Sequence, residues 1–203
     1  MNLNNVIASN LNINFLNILM KLLELIRKFS FWTIDYVKGS PIRKNYNEIK
    51  FINENYDSEK SAELIKKYLC DVLNEAKNYT PFYKSNVKGN LLSDFPIIDK
   101  NIVRNNYNEF KSTRFLDKRN VSVVTSGSTG TPFRLFHNKN KRFRNTADII
   151  YFTKRGGFEI GTRLIFMKVW NDINRKSRLK LFLENITPYN ILNYTDKDVV
   201  ELI

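Results

Sequence analysis

The sequence predicts an α/β chain, with a helical N-terminal region over residues 1–78 and an α/β region over residues 79–203. Two observations carry this reading. Apolar residues in the first third recur at helical spacing, and clusters of β-branched residues later in the chain are separated by helix-length stretches. A third observation, the Ser/Gly/Thr-rich run at 125–132, marks a tight loop between two of those clusters.

The first element is an amphipathic helix over Leu11–Phe29, with Phe15, Ile18, Leu19, Leu22, Leu25, Ile26 and Phe29 on one face. Asn14, Asn17, Lys21, Glu24 and Arg27 interrupt the apolar stretch, so it reads as neither a signal peptide nor a membrane span. Its apolar face is expected to pack on its own domain, in preference to a membrane surface. A second helix runs from Ser58, its cap, to Lys77, with Glu59 in the first turn. Its stripe of Ala62, Ile65, Leu69, Val72 and Ala76 is expected to face the core.

The segment Tyr79-Thr80-Pro81-Phe82-Tyr83 ends that helix. Phe95 to Lys100 reads as an extended piece leading into a short helix capped by Asp99. Val121–Thr125 and Phe133–His137 read as strands, Lys141–Arg155 as a helix closed by Gly156-Gly157, and Leu164–Trp170 as a third strand. Near the end, Thr195 and Asp198 form a capping-box pattern before Val199, Val200, Leu202 and Ile203. The sequence stops inside that helix, so truncation is expected.

Composition bounds the function without selecting it. A chain of 203 residues with 42% hydrophobic content can bury a core, and a formal net charge of +13 attracts nucleotide phosphates, nucleic acid or an acidic membrane leaflet alike. Asn and Lys are abundant throughout, as in "KNYNEIKFINENY", so the charge is discounted as a guide. Cys70 is the only cysteine and His137 the only histidine, which excludes an internal disulfide and a Cys/His zinc cluster. A reducing, cytoplasmic setting is the expectation.

Thr125-Ser126-Gly127-Ser128-Thr129-Gly130-Thr131-Pro132 is the segment with chemical content. Gly127 and Gly130 permit close backbone approach, the hydroxyls and backbone N–H groups can converge on one anion, and Pro132 stiffens the exit. The spacing of the glycines and the absence of a lysine exclude a Walker A loop. The bland alternative is a Ser/Gly turn joining two strands.

This order of residues resembles the phosphate-binding signature of the adenylate-forming superfamily. With "YTPFYKSN", "DFPIIDKNIVRNNYNEF" and "VSVVTSGSTGTPFRLF", the stretch from Tyr79 to Trp170 looks like the phenylacetate-CoA ligase and CapK (capsular polysaccharide biosynthesis) branch. Phe133 stands where many members carry Lys, a departure shared with CapK-like proteins. The resemblance implies part of the large domain of such an enzyme, with a mixed sheet.

It further implies that Thr125, Ser126, Gly127, Ser128, Thr129, Gly130 and Thr131 grip ATP phosphates, with magnesium, while a carboxylate substrate attacks the α-phosphate. Coenzyme A is one possible acceptor. The family's aromatic-Gly-x-Ser/Thr-Glu segment, ribose-binding Asp and late lysine cannot be placed after Pro132. The expectation is therefore an N-terminal part of an ATP-dependent carboxylate-adenylating ligase, inactive without a missing C-terminal portion, with its catalytic residues unassigned.

Three other residues are weighed. Arg134 is able to add positive charge near the loop, yet alternation along its strand reads it as solvated. His137 lacks a carboxylate partner and is read as uncatalytic, and Cys70 is read as structural. Two alternatives remain open: a non-catalytic phosphate- or nucleotide-binding protein, favoured by nucleotide binding without pyrophosphate release, and a basic nucleic-acid-binding protein using Lys139, Lys141, Arg142 and Arg144 around Phe143. No recognised nucleic-acid motif accompanies that run.

Overall fold

The computed structural model describes residues 3–116, 120–125, 133–170 and 175–193. In chain order the elements are α1 (Leu3–Val37), α2 (Pro41–Glu54), α3 (Glu59–Tyr79), α4 (Pro81–Asn86), α5 (Lys100–Asn105), β1 (Val121–Thr125), β2 (Phe133–His137), α6 (Lys139–Arg155), β3 (Leu164–Lys168), α7 (Arg178–Glu184) and β4 (Ile186–Asn190). Short 3-10 turns occupy Leu92–Asp94, Thr113–Phe115 and Ile191–Asn193. The chain divides into two compact units, Pro41–Tyr151 and Met1–Ser40 with Phe152–Ile203.

In the Pro41–Tyr151 unit, Ile49 of α2 and Ala147 and Tyr151 of α6 are buried together, with Ile42 and Tyr46 packed against them. The rings of Tyr46 and Tyr151 meet edge to face at 6.2 Å, a favoured aromatic geometry. Polar side chains tie the same helices from outside: Glu48 on α2 accepts from Arg144 on α6 and from Tyr68 on α3. The Arg144 guanidinium also lies over the Tyr68 ring, 5.6 Å from its centroid.

Ser58 caps α3 as expected, its side chain accepting from the Ser61 N–H at 3.3 Å. The stripe assigned to this helix is corrected. Ser61 and Leu73 are the buried residues, whereas Ile65, Leu69 and Val72 are exposed. α3 packs on α2 and α4. Those two neighbours cover one side, so a second apolar row a step around the helix stays in solvent.

The aromatic residues of 79–115 form a cluster of their own. Phe82 stacks on Phe110 at 4.2 Å, and Tyr83 meets both Phe110 and Phe95 edge-on or tilted. The Phe82 N–H donates to the Glu109 carbonyl at 3.1 Å, closing the segment on itself. Asp99 accepts from the Ile102 N–H at 2.8 Å and starts α5 where the sequence placed it.

In the other unit, β3 and β4 pair in parallel, Leu164 opposite Ile186, joined through α7. Ser177 caps α7, and Asn185 ends it in the left-handed region at φ 54° while donating to the Gly161 carbonyl at 2.9 Å. α1 belongs to this unit and reverses the expected orientation. Phe15, Ile18, Leu22, Leu25 and Phe29 are exposed, whereas Glu24, Arg27, Lys28 and Asp35 lie on the covered side. Lys28 pairs with Glu159, Arg27 lies over the Phe182 ring, and the Gly161 backbone comes so close to α1 that a Cβ there would overlap the Glu24 carbonyl. Leu23, Phe31 and Trp32 are half-buried on the same side, so apolar packing, charge pairing and a backbone contact together seat the helix.

The architecture is thus mixed helix and small strands. Where one mixed sheet was expected, the described strands form two separate two-stranded sheets, β1–β2 and β3–β4. The capping box at Thr195 and Asp198 lies outside the described residues.

Candidate functional site

The site is built on a hairpin. β1 and β2 run antiparallel in full register, from Val121 opposite His137 to Thr125 opposite Phe133. β-branched Val121, Val123, Val124 and Thr125 suit the pleated pairing. Thr125 closes β1 at the point where the loop segment begins, so the ladder fixes both ends of that segment. Ser126, Gly127, Ser128, Thr129, Gly130 and Thr131 lie outside the described residues.

β2 passes directly into α6. The Asn138 side chain accepts from the Lys141 N–H at 2.7 Å, which caps the helix immediately after the strand. Arg134 sits one residue beyond the first ladder pair and is exposed, in agreement with the solvated reading. It also lines an open cavity of about 500 Å³ shared by β2, α5, residues 107–116 and Asn120. That volume lies in the range of small-molecule sites.

The wall of this cavity is largely apolar, with Val103, Phe110, Phe115, Leu116, Leu135 and Phe136, and a few polar side chains are set into it. Tyr107, Ser112 and Asn120 all line it, and their Oη, Oγ and Oδ1 atoms are buried without a hydrogen-bond partner among the described residues. Asn120 is held by its other end, Nδ2 donating to the Phe115 carbonyl at 2.8 Å, which leaves Oδ1 as the acceptor presented. An unpaired buried polar atom costs about 1–3 kcal/mol, so three in one recess call for a polar occupant, water or ligand. Lys111 adds a cation, its Nζ 4.7 Å from the Tyr107 ring centroid. Nothing in the spacing of Tyr107, Ser112 and Asn120 announces them, because their convergence comes from residues 107–116 and Asn120 meeting β2.

The remaining sequence candidates are dispersed. His137 pairs across the ladder from Val121, at the end of the hairpin away from the loop. Cys70 is a free thiol exposed on α3, so it is no packing residue. Of the basic run, Arg144 is committed to Glu48, and Lys139 lies over the Phe143 ring at 5.7 Å. Burial raises the Tyr83 phenol above its ordinary range, and burial together with the Glu48 hydrogen bond does so for Tyr68. Neither phenol lines the cavity.

Among the described residues no group of three or more His, Cys, Asp or Glu gathers to hold a metal ion. Among them, too, no helix is long and apolar enough to cross a membrane. No family model, curated protein or solved structure matches the chain significantly.

Proposed function

We propose that the chain is the nucleotide-phosphate-gripping part of an ATP-dependent carboxylate-adenylating ligase of the phenylacetate-CoA ligase/CapK type. The observation that carries this is the placement of the Thr125–Pro132 motif between two strands paired from Val121–His137 to Thr125–Phe133. A hairpin supplies two fixed anchors for a short loop rich in donors, the arrangement needed to stabilise charge on a departing pyrophosphate without reorganisation. Arg134, just beyond the loop, adds positive charge on the cavity side.

The test is the selectivity of binding. In equilibrium dialysis the chain takes up MgATP, and inorganic pyrophosphate competes with it because the loop holds phosphates rather than the base. Equal affinity for ATP, AMP and inorganic phosphate would instead mark a general anion site, the reading in which the protein is a non-catalytic phosphate binder. Absence of ATP uptake at millimolar concentration overturns both.

A further inference from the structure

The outward apolar side of α1 has a period of its own. Phe15, Ile18, Leu22, Leu25 and Phe29 succeed one another at alternating steps of three and four, and Tyr36, one heptad beyond Phe29, is exposed as well, although Trp32 between them is half-covered. That spacing averages 3.5 residues, the repeat of a coiled-coil seam rather than of a helix lying on a broad core. Phe15, Leu22, Phe29 and Tyr36, each one heptad from the next, carry it over three heptads, the length at which such a pattern becomes informative.

We propose that α1 is a self-association surface, on which a second copy of this chain packs its own α1 by the same seam. The inference is independent of nucleotide binding. Area supports it: Phe15, Ile18, Leu22, Leu25, Phe29 and Tyr36 are each 52–77% exposed. At roughly 100 Å² of apolar surface per side chain they offer about 600 Å² per copy, which exceeds, for two copies, the ~1,000 Å² expected of a specific interface. Leu19 and Ile26, beside the seam, are also exposed and widen it.

Charge distinguishes a second copy from a lipid surface. An interfacial helix needs cations flanking its apolar face. Here Lys28 is paired with Glu159 and Arg27 lies over the Phe182 ring, so two of the three cations between Phe15 and Phe29 are already engaged within the chain. An apolar strip of this length with so little cationic rim is complementary to another strip like itself.

The experiment is light scattering and sedimentation equilibrium on the full chain over a concentration series, alongside Leu22→Glu/Leu25→Glu. Both leucines point to solvent in a single copy, so the double substitution leaves the helical circular dichroism intact and reduces the mass from two chains to one. Phe29→Ser, a milder change in the same seam, shifts the dimer dissociation constant upward by at least tenfold. A chain that is monomeric at every concentration overturns the proposal, as does a dimer that both variants leave unchanged. A monomer that sediments with phosphatidylcholine vesicles containing phosphatidylglycerol overturns it in favour of a membrane surface.

Discussion

Tyr107, Ser112 and Asn120 show how single side chains report on a site. A hydroxyl kept for packing alone would be worth nothing here, since an unpaired buried hydroxyl costs stability. Tyr107→Phe and Ser112→Ala are therefore expected to leave the thermal midpoint of the unliganded chain unchanged or slightly higher, while weakening uptake of whatever polar ligand the cavity takes. A drop of about 1 kcal/mol in unfolding free energy for either variant would show a hydrogen-bonded structural role instead.

Glu159 offers a second residue-scale test. The hydrogen bond from Lys28 is the chief cause that holds its carboxyl below the ordinary glutamate range, and Lys154 adds to it. A depressed folded-state pKa contributes stability that is present above the unfolded value and lost as pH falls through the folded one. The denaturation midpoint should accordingly fall as pH drops below the ordinary glutamate range, and Glu159→Gln should flatten that dependence. The pair is well exposed, so the effect at neutral pH is at most about 1 kcal/mol.

Elements differ in how far their residues announce them. α3 and α5 are legible because each begins on a side-chain cap, Ser58 and Asp99, and a cap is a local event needing no partner. Ser58→Ala should cost about 1 kcal/mol, read from chemical denaturation. The β1–β2 hairpin is legible for a similar reason, two β-branched or aromatic runs flanking a turn-rich loop. β4 escaped notice, since Ile186-Thr187-Pro188-Tyr189-Asn190 contains a proline and is a strand only because β3 lies beside it. α2 and α7 were missed too; α7 is short and draws its definition from Ser177 and Asn185 at its two ends.

The apolar stripes of α1 and α3 face solvent where periodicity alone would turn them to a core. Periodicity establishes that a face exists, and only packing decides what covers it. At Gly161, φ is +97° and an added Cβ would overlap the Glu24 carbonyl, so this glycine is what lets α1 seat its polar side. Gly161→Ala should destabilise the chain by at least about 1 kcal/mol, seen as a lowered denaturation midpoint, with Gly39→Ala as a control at positive φ but in open space.

At the scale of the whole molecule, the candidate site was legible in part. The strands β1 and β2 were readable as a sequence pattern, the motif between them lies at residues outside those described, and the cavity beside β2 was not readable, because it depends on the meeting of separate segments. The net charge of +13 suits any anion and distinguishes no reading. What distinguishes them is whether the loop hydroxyls grip a triphosphate.

Calorimetric titration of MgATP into the chain, and into a Ser128→Ala/Thr129→Ala variant, tests that most directly. Hydrogen bonds to a charged phosphate are worth about 1.5–3 kcal/mol, so loss of the two hydroxyls should weaken binding at least tenfold while circular dichroism stays unchanged. Equal affinity in the two proteins would contradict the assignment of the loop and with it the adenylate-forming reading.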